Sequence, residues 1–139
     1  MTFEEVEATL PNGFHDAEIL EITFDAISRL LRISLNVDIS GAEGAGREIY
    51  RAGKLTAQSA QWFSLGTPDP RYPFAGNGQP LNASGFSIIP GRDARVDALL
   101  AVLPAGFSAY GFFLDDWNSD LYFAGKDPQF LWDEASSGP

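Results

Sequence analysis

Residues 31–39 alternate strictly between apolar and polar side chains. Leu31, Ile33, Leu35, Val37 and Ile39 fall on one side, and Arg32, Ser34, Asn36 and Asp38 on the other. A repeat of two is that of an extended strand with one face buried and one face wet, whereas a helix would scatter the same residues around its surface. A slip of one residue would turn the whole apolar row to solvent, so the register should be firm. Burying these five side chains contributes on the order of 7–12 kcal/mol before conformational entropy is counted. From Asp16 to Asp25 the spacing is the same, Leu20, Ile22 and Phe24 alternating with Ile19, Glu21 and Thr23. The polar link Asp25-Ala26-Ile27-Ser28-Arg29 between the two runs predicts a hairpin.

Helical signals flank this β pattern. Thr2 and Glu5 have the spacing of a capping box, Phe3, Val6 and Leu10 form one stripe, and Pro11-Asn12-Gly13 ends the turn, which predicts a short N-terminal helix. A third, less regular strand is expected at about Ile49 to Leu65, with Gly53 marking a bulge. Gly66 to Gly85 is rich in proline and glycine and reads as a long loop, followed by a short strand over Gly85 to Ile89. Asp93 caps a second helix near 93–103, on which Val96, Leu99, Leu100 and Leu103 share a face. Three aromatic strands close the chain, at Phe107–Leu114, Leu121–Ala124 and Gln129–Asp133. The expected fold is a single α+β domain over residues 1–139, mainly β: an antiparallel twisted sheet or small two-layer sandwich carrying the two helices.

Composition narrows the function. Nine basic residues stand against 19 acidic ones, for a net charge of −10. A field of that sign repels phosphate backbones and anionic lipid, so neither nucleic acid nor a membrane surface is an expected partner. A basic protein is compatible with it. There is no cysteine, which removes disulfides, thiolate nucleophiles and Cys-ligated zinc and suits a reducing compartment. The acidic start Met-Thr-Phe-Glu-Glu-Val-Glu is unlike a signal peptide, so the expected location is cytoplasmic. No cofactor and no metal are expected.

Chemistry could sit in three places. Phe14-His15-Asp16-Ala17-Glu18 holds the single histidine. On a strand His15 would point away from Asp16 and Glu18, but a turn at Gly13-Phe14 would let His15 and a carboxylate form an acid–base or binding pair. The plainer reading is that His15 or Asp16 bonds the backbone where the chain enters the sheet. In Asp115-Asp116-Trp117-Asn118-Ser119-Asp120, Asp116, Asn118 and Asp120 match the opening of a calcium loop. Leu121 then stands where such a loop needs glycine, and Asp127 where it needs glutamate, so a tight turn between strands is the better reading. Trp117, if exposed there, would be a natural interface anchor. In the long loop Arg71, Tyr72 and Phe74 could form a contact tip. The candidate binding residues are therefore His15, Asp16, Arg71, Tyr72, Phe74, Asp116, Trp117 and Asn118.

Two segments, Leu10-Pro11-Asn12-Gly13-Phe14-His15-Asp16-Ala17-Glu18-Ile19 and Phe112-Phe113-Leu114-Asp115-Asp116-Trp117-Asn118-Ser119, resemble a group of small uncharacterised bacterial proteins. With Tyr50-Arg51-Ala52-Gly53-Lys54-Leu55 the resemblance spans most of the chain. The group is more loosely similar to immunity-type proteins of bacterial toxin systems. The resemblance implies a bacterial source and puts His15, Asp16, Asp116, Trp117 and Asn118 ahead of other polar residues. The expected function is a non-enzymatic protein-binding domain. The alternatives are a structural subunit forming a homodimer through exposed aromatics, or a small metal-dependent or acid–base hydrolase using His15 with nearby carboxylates.

Overall fold

A computed structural model describes residues 1–41, 49–72 and 78–134. Along the chain run α1 (Phe3–Ala8), β1 (Ala17–Asp25), β2 (Leu30–Asp38), β3 (Tyr50–Leu65), β4 (Leu81–Phe86), α2 (Ala94–Ala101), β5 (Phe107–Leu114) and β6 (Ser119–Trp132). Every adjacent pair is antiparallel, and the order β1-β2-β3-β6-β5-β4 closes on itself because β4 pairs with β1. The fold is thus a closed six-stranded barrel, not the open twisted sheet or two-layer sandwich expected from the sequence.

Two long, bent strands account for the difference. β3 has 16 residues and β6 has 14, and their shared ladder is interrupted between Thr56 and Trp62. Ser59 and Asp127 have positive φ (both 49°) in this stretch. A bulge adds residues to one strand, bends it and increases its twist, which lets a sheet curl until its first and last strands meet. The irregular spacing of the third strand is therefore this bulge. Gly53 is not bulged, and pairs in register with Leu35 on one side and Trp132 on the other. The segments 121–124 and 129–133 are one strand that turns a corner at Asp127, not two strands of a meander. β4 begins at Leu81, earlier than the expected Gly85–Ile89.

The barrel interior is filled with side chains. Tyr110, Phe112 and Phe123 from β5 and β6 pack with Phe14, Leu31, Ile33, Leu35 and Leu55, all essentially without solvent exposure. The period-two row of β2 points inward as expected, through Val37. On β1 the pairing shifts at Leu20, so Ile19 and then Ile22 and Phe24 face the core while Leu20 is turned out. The capping box of α1 forms as expected, with Glu5 and Thr2 exchanging bonds of 3.0 and 3.1 Å. The helix lies against β5 and β6 and sends Phe3 and Val6 into the interior, where the Phe3 ring meets Tyr110 and Phe123. The Tyr110 hydroxyl donates a short hydrogen bond to the Glu7 carboxylate, tying α1 to the barrel wall. α2 is capped by Asp93, whose side chain accepts from the amides of Arg95 and Val96. No helix among the described residues is long and apolar enough to cross a membrane.

Candidate functional site: an acidic surface where the barrel closes

The β1–β4 closure is short. Only Ala17, Glu18 and Ile19 pair with Ala83, Asn82 and Leu81, and on its other edge Ala83 pairs with Leu114. Because the strands are staggered, the start of β1 and the end of β5 lie two strands apart at the same level. The segments around His15 and Trp117, a hundred residues apart in the chain, are thereby brought to one surface.

Small polar residues of β4 stitch this surface together. Ala83 is buried, so Asn82 and Ser84 on either side point outward, as strand alternation requires. The Ser84 hydroxyl accepts from the Asp16 amide at 3.2 Å, and the Gly85 amide donates to the Phe14 carbonyl at 3.1 Å. Asn82 accepts from the Asp115 amide at 2.9 Å, and its own amide donates to the Asp116 carboxylate at 2.7 Å. The Tyr50 hydroxyl donates to the Asp16 carbonyl at 3.1 Å. Asp16 itself has φ 52°, a left-handed turn that swings its side chain beside the preceding residue and away from the strand direction. The His15 ring and the Asp16 carboxylate stand 3.3 Å apart, with the histidine side chain 74% exposed.

The long loop joins from the other side. Its residue Asp69 donates a backbone bond to the Trp117 carbonyl at 2.9 Å and accepts from the Asn118 side-chain amide at 3.2 Å. Arg71 is exposed and holds Asp69 through two guanidinium bonds of 3.2 and 2.9 Å. Tyr72, also exposed, follows in the same turn. Phe74 lies outside the described residues. Asn118 takes φ 48° and Asp115-Asp116-Trp117-Asn118 forms the tight β5–β6 turn, in keeping with the turn reading of that motif. Trp117 is half-buried and packs against the core, so it anchors the turn to the barrel more than it offers a free aromatic surface.

Comparison with family models, with curated proteins and with solved structures finds no match.

The electrostatics are those of a crowded acidic patch. The Asp115 carboxyl is pushed above its usual range by partial burial, then by the charges of Asp116 and Asp16, with His15 partly offsetting them. Asp69 is the opposite case: the Arg71 side chain and amide, with Asn118, hold it down at about 2. The stabilisation from Asp69 is thus fully present above the ordinary value of 3.8 and is lost as pH falls through about 2. The 66–72 segment should stay docked on the β5–β6 turn at pH 4 and release as pH approaches 2. Amide exchange at Asp69, which donates to Trp117, reads that release.

Among the described residues no group of three or more histidine and carboxylate side chains could hold a metal ion. Asn82, Ser84, Asp69 and Tyr50 were not among the candidates from the sequence. Asn82-Ala83-Ser84 has the form of a glycosylation triplet, but its polar–small–polar alternation is also that of a strand, and that signal would have placed both side chains on one outer face.

Proposed function

We propose that this protein is a non-enzymatic binding domain for a basic protein partner, which it contacts through the acidic surface at the barrel closure. The observation that carries this reading is the convergence of Asp16, Asp115 and Asp116 on one surface across β4, where partial burial and then the neighbouring charges push the Asp115 carboxyl up. A lysine or arginine from a partner would relieve that repulsion on binding. Electrostatic complementarity of this kind speeds encounter and selects against acidic partners. A net charge of −10 extends the same field over the rest of the molecule. An immunity protein that covers a basic toxin is the sharpest form of the reading, and the resemblance of the His15 and Trp117 segments supports it.

The nearness of His15 to Asp16 and Asp115 favours, second, an acid–base hydrolase. Its weakness is the 74% exposure of the His15 side chain, since an acid–base pair in open water lacks the dry, low-dielectric setting in which such groups act strongly.

Asp115→Asn separates binding from folding. Removing the strained charge should raise the urea midpoint at pH 7. The gain should vanish below the ordinary carboxylate range, where the wild-type side chain is protonated in both folded and unfolded chains. The same substitution, combined with Asp16→Asn, should weaken partner capture from the source cells at low salt by about tenfold or more, ~1.4 kcal/mol. Recovery of no basic partner by the wild-type protein, or equal retention by the double variant, would count against the proposal.

A further inference from the structure

We infer that a small polar pocket on the outer face of β6 binds a free α-amino acid or another zwitterion of that size. Asp120 and Tyr122 alternate with Leu121 along β6 and so share its outer face. Ser64 of β3 pairs with Tyr122, and just beyond it the Gly66 amide donates to the Asp120 carbonyl at 2.9 Å. A Cβ on Gly66 would collide with the Ser119 hydroxyl, so glycine lets the two strands pass this closely. The chain leading into α2 returns over the same face. There the Phe86 ring meets Tyr122 edge-on at 5.9 Å, and Arg92 lies over Phe86 at 6.0 Å. Together these residues line a pocket of about 150 Å³. That is the share of about five water molecules, enough for one small amino acid.

The lining carries both charges over a polar floor. Tyr122 is 5% exposed, and its hydroxyl donates to Asp120 Oδ2 at 2.9 Å. Burial, then that bond and the Asp120 charge, push the hydroxyl up to about 12, so it stays a donor at neutral pH. Arg92 partly offsets the rise and Asp93 adds to it, which places both charges near the hydroxyl. The other Asp120 oxygen, Oδ1, is buried and meets no protein donor. Buried acceptors are rarely left so, and a ligand ammonium would supply the donor. Arg92 is exposed and makes no ion pair among the described residues. A ligand carboxylate would pair with its guanidinium. A lone anion would meet Asp93 and Asp120, and a lone cation would meet Arg92, so the mixed lining selects a ligand bearing both charges.

None of these residues belongs to the acidic surface at the closure, so the pocket stands or falls apart from the basic-partner reading. The probe is free L-alanine, compared with ethylammonium and with propionate at equal ionic strength. Each is titrated into the full chain and followed by amide NMR. Alanine at millimolar concentration should shift the amides of Gly66, Arg92 and Asp120 saturably, and the two single-charge probes should not. Arg92→Gln should weaken alanine binding by about tenfold or more with the urea midpoint unchanged, since the side chain is exposed. Asp120→Asn, which keeps an acceptor for Tyr122, should weaken it as much. Ethylammonium binding as tightly as alanine, and lost only in Asp120→Asn, would describe a cation pocket and overturn the inference. No saturable shift at tens of millimolar alanine overturns it too. So do cross-peaks in the free protein between the Arg92 guanidinium and the Asp120 Cβ protons, which would mean that Arg92 already fills the pocket.

Discussion

Phe14→Ala should lower the unfolding free energy by about 3–5 kcal/mol, the largest single effect expected in this chain. Phe14 precedes β1, yet its ring is fully buried and packs edge-on against Phe112 and Phe130 at 5.4 and 5.8 Å, and against Tyr110 at 6.0 Å. Its carbonyl also accepts from Gly85 on the far side of the closure. Truncation removes the ring from an aromatic cluster shared by β5 and β6 and leaves a cavity that the barrel walls can close only partly. Urea unfolding followed by tryptophan fluorescence measures it, with the midpoint falling and the slope unchanged. A loss under 1 kcal/mol would mean that the ring does not fill the interior.

Gly85→Ala should cost about 1–3 kcal/mol for the opposite reason, overpacking. A Cβ at this position would lie 2.2 Å from the Tyr110 hydroxyl and 2.9 Å from the Phe14 Cβ. Neither neighbour is free to give way. The Tyr110 hydroxyl is bonded to Glu7, and Phe14 is fixed by its rings and by its carbonyl bond to Gly85. Because Phe14 and Gly85 share these contacts, the double variant should depart from additivity. If Gly85→Ala is neutral while Phe14→Ala is severe, the two strands do not approach as closely as the closure requires.

These two residues also mark how far the sequence could be read. The hairpin of β1 and β2 was legible because each strand buries one face, so period two survives in the residues themselves. Both helices were legible from Thr2, Glu5 and Asp93, since a cap is a local device. Closure was not legible. It depends on bulges near Ser59 and Asp127, where non-glycine residues take positive φ, and on a β4 strand whose inward row of Leu81, Ala83 and Gly85 holds one large side chain. Small inward side chains give little hydrophobic signal, so residues 81–84 read as the end of a loop and the strand as beginning only at Gly85.

The candidate site followed the same division. His15, Asp16, Asp116 and Asn118 stood out because turn chemistry concentrates polar side chains in short stretches. Their convergence, and the parts played by Asn82, Ser84 and Asp69, are products of strand stagger, which no local pattern encodes. Trp117 stood out by residue type, yet its half-burial depends on how the β5–β6 turn folds back on the barrel.

Pairing of β4 with β1 both closes the barrel and assembles the acidic surface. A nuclear Overhauser spectrum of the full chain tests it most directly. Backbone cross-peaks should link Ala17–Ile19 with Leu81–Ala83, alongside those linking Ala83 with Leu114. Retention of the β4–β5 peaks with none between β1 and β4 would describe an open sheet and contradict both the barrel and the site built on its closure.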